Sequence, residues 1–431
     1  MKVAFYTLGC KVNQAEINSL QKILVKDYGG ELVNQKADIC IVNVCSVTVK
    51  AEKESRQTLR LARQQHPDAL LIATGCWQKR NVSQVDWWID NQQKELMPDL
   101  LKQKKIITAV SNKKNEQQKI EAIQTGGLTT SSLIKGYGRQ RNLKQRIPIK
   151  IQDGCNNACA FCISRLLRGK SKSRSVNEII KEIITAQQEG CQEIILVGIN
   201  LSLWKEKNHR LSYLIREILA LTTIPRIRLS SLWPTAIDSN LLTLFSNPRL
   251  CPHLHISLQS ASNRILSAMN RNYRHSDLRR VIKQIKKINI NNFNLTADVI
   301  VGFPGETEKD FLITKQFLEI NSFSNIHVFR YSSRPGTIAQ QMVDQISAQI
   351  KKQRAEQLKQ LNQQLNLSAR QRMIGQKISV LFEEKKNLFW KGYSKNYFKV
   401  YLKSKKNLNN KILKVKIVDL LTDGLLGEII S

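Results

Sequence analysis

Residues 154–165 read GCNNACAFCISR and set Cys155, Cys159 and Cys162 apart by three and then two intervening residues. Thiolates this close together are ligands for zinc or for an iron–sulfur cluster. A structural zinc site closes with four ligands, and here no fourth is near: the neighbouring histidines along the chain are His66 and His209. Two chemistries stay open. One is zinc completed by a distant residue. The other is a 4Fe–4S cluster with three protein ligands, whose fourth iron is free to chelate a small molecule. Phe161, an aromatic directly before the third cysteine, favours the cluster.

A second set is spread more widely. Cys10, Cys45 and Cys76 end the apolar runs KVAFYTLGC, ADICIVNVC and ALLIATGC, and Cys10 and Cys76 directly follow Gly9 and Gly75. Parallel strands place their C-termini along one edge, where ligands bind, so the three thiols would converge there. The alternative is three small buried apolar residues. Cys40 lies inside its run and reads as core.

These positions need elements to hold them. Over 1–110 the apolar runs alternate with polar, helix-compatible stretches, the pattern of a parallel α/β sheet. Residues 111–146 are rich in Gly, Ser and charge without a sustained period and read as a linker. From 147 to 345 six strand-like runs recur: PIKIQDGC, EIILVGIN, RIRLSSL, HLHISLQS, NLTADVIVGFP and NIHVFRYS. With helical segments between them they predict a partial TIM-like (β/α)6 barrel, whose site lies at the strand C-termini. Gly198, Asn200, Ser231, Gln259 and Gly302 stand at those ends and are the candidate contacts for a small-molecule cosubstrate. Cys191 and Cys251 precede their strands and read as structural. Arg174 is poised to pair with a carboxylate or phosphate, or to be solvated. A connecting helix is expected over 346–369. KISVLFEE, WKGYSKNYFKVYL, KILKVKIVDLL and LLGEII over 370–431 then read as the strands of a small OB-like β-barrel.

The chain of 431 residues carries 68 Lys+Arg against 34 Asp+Glu, a formal charge of +34. Nucleic acids and anionic membranes both attract such a chain. The charge runs along the whole length with no isolated basic amphipathic helix, which favours nucleic acid. The final region holds 14 Lys+Arg and 5 Asp+Glu together with Phe382, Phe389, Trp390, Tyr393, Tyr397, Phe398 and Tyr401. Cations follow a phosphate backbone and rings stack on bases, although some of these rings must form the barrel's own core. No apolar run reaches the roughly 18 residues of a membrane span, and the N-terminus lacks a signal-peptide pattern. A cytoplasmic location is expected. Nine cysteines, an odd number in a long chain, speak for metal or catalysis rather than disulfides.

The motifs together resemble the methylthiotransferase family of radical S-adenosylmethionine enzymes, over nearly the whole chain. TLGCKVNQAE, NVCSVT and TGCWQK resemble its N-terminal domain. GCNNACAFC, RIRLSSLWP, HLHISLQS, DVIVGFPGET and HVFRYSSRPGT resemble its radical domain, and the end resembles its nucleic-acid-binding TRAM barrel. The resemblance implies a 4Fe–4S cluster on Cys155, Cys159 and Cys162 that binds S-adenosylmethionine at its open iron. It implies a second 4Fe–4S cluster on Cys10, Cys45 and Cys76. The reaction it implies is radical removal of a hydrogen atom from an unactivated carbon, followed by addition of a methylthio group.

TLGCKVNQ and the YSSRPGT ending resemble the subgroup acting on carbon 2 of threonylcarbamoyl-adenosine at tRNA position 37. Related subgroups act on isopentenyl-adenosine at the same position or on a ribosomal protein. A non-catalytic iron–sulfur RNA-binding protein is a further alternative. Expected partners are tRNA, a sulfur donor and an electron donor such as flavodoxin or ferredoxin, with no membrane, and the chain is expected to be a monomer. Three departures stand out. Ile163-Ser164-Arg165-Leu166 replaces the usual Pro and Tyr after the third cysteine, Trp233 replaces a Glu before Pro234, and Ala261-Ser262-Asn263 replaces Gly-Ser-Asp.

Overall fold

The computed structural model describes residues 1–78, 82–107, 145–288 and 290–430. The chain divides into two units, Met1–Arg141 and Asn142–Ser431. The expected linker lies outside the described residues up to 144, and Arg146 already opens a strand.

In the first unit five strands, β1 (Lys2–Thr7), β2 (Glu31–Leu32), β3 (Ile39–Cys45), β4 (Leu70–Cys76) and β5 (Trp87–Ile89), form a sheet in the order β2-β1-β3-β4-β5. Every pairing is parallel. Side chains alternate across the sheet. Ile39 and Ile41 pack on one face with Ile17, Leu20 and Leu24 of the helix Lys11–Lys26. Cys40, Val42 and Val44 pack on the other with Leu59 and Ala62 of the helix Val49–Gln65. Cys40 is therefore core, and burial pushes its thiol up to about 12.

The second unit holds β6 (Arg146–Asp153), the short β7 (Lys172–Ser173), β8 (Glu193–Gly198), the hairpin β9 (Lys205–Glu206) and β10 (His209–Arg210), β11 (Arg226–Leu229), β12 (His253–Gln259), β13 (Asn294–Val301) and β14 (Asn325–Arg330). β6, β8 and β11 pair in parallel, as do β12, β13 and β14. Parallel bridges Ile227–Leu250 and Leu232–Ile256 connect the two sets. The order is thus β6-β8-β11-β12-β13-β14, and among the described residues no ladder returns from β14 to β6.

One alternate set of side chains, including Ile149, Leu196, Ile227, Ile256 and Val299, packs under the helices in a single core with Ile183, Ile218, Val281 and Leu318. The other set faces the lumen: Arg146, Lys150 and Gln152 on β6, Glu193 on β8, Arg226 and Arg228 on β11, His255 on β12, Asp298 on β13 and His327 on β14. Short local signals start the helices. Ser175 and Glu178 cap the helix Val176–Gln188 reciprocally, as Thr307 and Asp310 cap Glu308–Ile320.

After the helix Ala348–Gln371 come β15 (Lys377–Lys386), β16 (Phe389–Ser394), β17 (Lys399–Lys403), β18 (Ile412–Leu421) and β19 (Gly424–Ile429). They close into a barrel in the order β15-β16-β17-β19-β18. The run WKGYSKNYFKVYL, expected as one strand, is two. The chain reverses at Ser394, whose N–H donates to the Phe398 carbonyl at 3.0 Å, with Tyr397 at φ 71°. The rings divide accordingly. Phe382, Trp390 and Phe398 are core. Tyr393 and Tyr397 lie under the guanidiniums of Arg146 and Arg228 at 4.4 and 4.5 Å, so they are not free to stack on bases. Phe389 and Tyr401 remain half-buried at the surface.

This contact joins the closed barrel to the six-stranded part. Glu193 is wholly buried and accepts from Arg228 Nε at 2.7 Å and Nη2 at 3.2 Å, with Arg226 Nη1 at 3.7 Å. The same guanidiniums donate to the carbonyls of Tyr393, Ser394 and Lys395. Burial opposes charge on Glu193, but Arg228, Arg146 and Arg226 outweigh it and hold the carboxyl at about 2. Removing one partner of a buried ion pair costs roughly 3–5 kcal/mol. Glu193→Gln is therefore expected to lose stability of that order in urea unfolding at pH 7. The folded carboxyl is depressed below the unfolded value of about 4.3, so its contribution is complete above that pH. It is lost as pH falls toward about 2, and the gap between wild type and variant should shrink across that window.

Candidate iron–sulfur and cosubstrate site

The loop after β6 begins with a backbone that only glycine tolerates. Gly154 has φ +65°, and a Cβ there would meet the Lys170 carbonyl oxygen at 2.1 Å. Cys155 N–H donates to the Gly169 carbonyl at 3.0 Å, and Cys162 N–H to that of Cys159 at 3.0 Å. Cys155, Cys159 and Cys162 are free and half-buried. Burial pushes the Cys159 thiol up to about 11 against the opposing field of Arg271. A bound metal reverses this, since a coordinating thiol is deprotonated outright.

Residues after the helix Asn263–Ala268 hold the loop at three points. Ala160 N–H donates to the Met269 carbonyl at 3.0 Å, Asn270 Nδ2 to the Ala158 carbonyl at 2.8 Å, and Arg271 Nη1 to Cys159 Sγ at 3.6 Å. The sequence reading missed Met269, Asn270 and Arg271. The one local signal was an Asn-Arg pair just past a short helix, and Asn270 does take φ 55°.

Three soft sulfurs on one short loop suit a 4Fe–4S cluster bound through three thiolates. The group of ligand atoms gathered within 4.8 Å of one another lies elsewhere among the described residues, at His255, Asp298 and His327, and contains no cysteine. Asp298 accepts from His255 Nε2 at 2.9 Å and His327 Nδ1 at 3.3 Å. Burial pushes Asp298 up, but these hydrogen bonds outweigh it and hold the carboxyl well below the usual carboxylate range.

The strand-end candidates differ in what surrounds them. Asn200 is buried. Its N–H donates to Gln152 Oε1 at 2.9 Å and its Nδ2 lies 3.9 Å from Cys155 Sγ. Gly198 packs on the same glutamine: a Cβ there would meet Gln152 Oε1 at 2.9 Å. Gln152 in turn donates to the carbonyls of Asp153 and Gly154, both at 2.7 Å. Gln259 is buried and strained at φ 61°. Ser231 is half-buried just past β11. Gly302 has φ +69° and lies against Lys351, whose Cγ would be 2.3 Å from an added Cβ. Arg174 pairs with Glu182 at 2.5 Å and caps the Lys150 carbonyl. Cys191 and Cys251 are buried before β8 and β12. Of the departures, Arg165 is exposed, Ala261 is buried under Thr314, and Trp233 is buried against Arg271.

In the first unit Cys45 and Cys76 are register partners at the ends of β3 and β4. Cys10 lies beyond β1, as the N-cap of the helix Lys11–Lys26, rather than at the strand end itself. Its neighbour Gly9, at φ +91°, approaches so closely that a Cβ would lie 2.8 Å from Cys45 Cβ and 3.1 Å from its Sγ. Asn13 ties this edge together, donating to the carbonyls of Leu8 at 2.8 Å and Val44 at 3.3 Å. Asn43 Nδ2 donates to the Asn13 carbonyl at 3.1 Å, and a buried Lys94–Glu16 pair at 2.6 Å backs it. Ser46 Oγ, next to Cys45, is buried with no hydrogen-bond partner among the described residues. Asn13 and Asn43 lie inside the quoted motifs, but only the fold shows that they face each other.

Comparison with known proteins bears on the whole chain. Residues 2–96 match the Uncharacterized protein family UPF0004 and residues 149–318 the Radical SAM superfamily. The chain is 34% identical to the threonylcarbamoyladenosine tRNA methylthiotransferase MtaB of Bacillus subtilis, over 96% of this chain and 93% of the relative. It is 34% identical to that of Thermotoga maritima, over 93% and 90%. To the tRNA-2-methylthio-N(6)-dimethylallyladenosine synthase of Endomicrobium trichonymphae it is 29% identical over the full length of both. Among solved structures, the radical S-adenosylmethionine methyltransferase TsrM from Kitasatospora setae shares the fold, with a TM-score of 0.53 at 13% identity over 76% of this chain and 72% of that one. No helix among the described residues is long and apolar enough to cross a membrane. Membership of the radical superfamily implies a 4Fe–4S cluster and S-adenosylmethionine, and the donor set Cys155, Cys159 and Cys162 fits that cluster. With matching relatives along both units, the chain belongs to the radical S-adenosylmethionine methylthiotransferases and is an enzyme of that kind.

Proposed function

We propose that this enzyme methylthiolates carbon 2 of N6-threonylcarbamoyladenosine at position 37 of tRNA. The observation that carries the choice of substrate is the polar lumen face of β12–β14. His255, Thr296, Asp298 and His327 share the lumen face of β12–β14 and are tied by short contacts, with His255 Nδ1 2.7 Å from Thr296 Oγ1. An isopentenyl group would desolvate these groups without replacing their hydrogen bonds, whereas a threonylcarbamoyl group offers a hydroxyl, a urea and a carboxylate. The names of the Bacillus and Thermotoga relatives support the same reading.

When bound, the cluster and S-adenosylmethionine supply hydrogen-abstracting radical chemistry. The chain's part is to hold and exclude. Cys155, Cys159 and Cys162 would hold the cluster, and Gly198, Asn200, Ser231, Gln259 and Gly302 would line the cosubstrate. Cys10, Cys45 and Cys76 would hold a second 4Fe–4S cluster through which sulfur arrives, and the buried unpartnered Ser46 hydroxyl beside Cys45 supports a ligand at that edge. The final barrel would act as a TRAM-like RNA grip. Lys377 and Lys416 are exposed register partners on β15 and β18 with Lys414 beside them, and Lys403, Lys405 and Lys406 add a second basic run. A cytoplasmic monomer would draw electrons from a flavodoxin or ferredoxin and sulfur from a separate donor.

Mass spectrometry of tRNA nucleosides from a strain lacking this protein checks the substrate. Methylthio-threonylcarbamoyladenosine should disappear and return with wild type but not with Cys155→Ala. Loss of methylthio-isopentenyladenosine instead would overturn the substrate while leaving the reaction. The second cluster has its own check. Gly9→Ala should push into Cys45, and iron analysis after anaerobic reconstitution should then find roughly half the wild-type iron. Full iron in that variant would count against a cluster on Cys10, Cys45 and Cys76.

A further inference from the structure

Arg271 is only 6% exposed, and its guanidinium sits among three rings: Trp233 at 4.1 Å, Phe161 at 5.4 Å and Tyr273 at 5.7 Å. Its Nη1 donates to Cys159 Sγ at 3.6 Å, and its Nε is buried with no hydrogen-bond partner. Among the described residues no carboxylate forms an ion pair with it. A buried cation lacking an anion is costly, and ring faces compensate for only part of that cost. Tyr273 is no counter-charge, because burial pushes its phenol up to about 12. The anions that remain are the thiolates of the cluster loop.

We infer that Arg271 is a positioning residue that favours reduction of the cluster held by Cys155, Cys159 and Cys162. Reduction adds one electron, from a one-electron donor, and leaves the bonding of the loop unchanged. It places one more negative charge on a site whose three thiolates already make it anionic. A fixed positive charge and an N–H···S hydrogen bond both stabilise that reduced form more than the oxidised one. Trp233 is part of the arrangement. It meets the guanidinium with a ring face instead of a carboxylate. A glutamate there would neutralise Arg271; the tryptophan keeps its charge directed at the cluster. The inference rests on the radical-enzyme cluster and is independent of which nucleoside is modified.

An EPR-monitored redox titration of full-length reconstituted protein tests it. The background is Cys10→Ala/Cys45→Ala/Cys76→Ala, so that one cluster reports. Arg271→Gln should lower the reduced-to-oxidised ratio at a fixed poise about tenfold, equivalent to a negative shift of about 59 mV for a one-electron couple. Arg271→Lys should restore most of it. Trp233→Glu, which leaves the arginine in place, should shift the midpoint in the same direction as Arg271→Gln. Full iron with an unchanged midpoint in Arg271→Gln overturns the inference. If Arg271→Gln fails to hold iron, an unchanged midpoint in Trp233→Glu overturns it. A parent protein that binds no cluster overturns the cluster reading and this inference together.

Discussion

Parallel pairing is the constraint on which both cysteine triads depend. In a parallel sheet every strand delivers its C-terminus to the same edge, so residues far apart in sequence share one rim without any contact designed for that purpose. β3 and β4 bring Cys45 and Cys76 into register, and β1 brings Gly9 against Cys45. The second unit uses the same rule over six strands, with the cysteine loop after β6 and Gln152, Asn200 and Gln259 on the rim. Glycine is required where backbones cross at this edge, at Gly9 and Gly154, because any side chain would displace a thiol or a carbonyl.

The lower end of the lumen solves a different problem. Arg146 enters it from β6 and Arg226 and Arg228 from β11, on either side of β8, and three buried cations need an answer. Glu193 supplies one charge. The closed barrel supplies Glu383 as a second carboxylate, paired with Arg146, together with backbone carbonyls and the ring faces of Tyr393 and Tyr397. Polar satisfaction thus fixes where the final barrel docks. It also holds the rings of Tyr393 and Tyr397 against guanidiniums.

At the upper end the cysteine loop has little regular structure of its own and is held from outside. Met269, Asn270 and Arg271 pin it through a carbonyl, an amide and a guanidinium. Each comes from a segment more than a hundred residues away, which is why a spacing pattern alone names the ligands but not their support. The same region absorbs the departure at Trp233, whose ring lies over Arg271.

Much was legible from residue order because the signals are local. Strands of alternating apolar residues, cysteines at short spacing, glycines before Cys10, Cys76 and Cys155, and capping pairs such as Thr307 with Asp310 all depend on neighbours within a few positions. The six strands of the second unit and the helix after them could be placed from such patterns. What tertiary structure alone decided depends on long-range geometry. WKGYSKNYFKVYL, expected as one strand, reverses at Ser394, where the Tyr397 ring meets Arg228 of a distant strand. Residue order leaves Arg174 a carboxylate, a phosphate or solvent, and the fold supplies the carboxylate of Glu182. Asn13 and Arg271 look like ordinary polar residues until the fold faces them toward thiols. By itself the sequence determined the spacing of the cysteines, the alternation of strands and helices, and the basic charge. The partners of each buried charge were decided only when distant strands came together, because burial removes water and makes every unpaired polar group choose a neighbour.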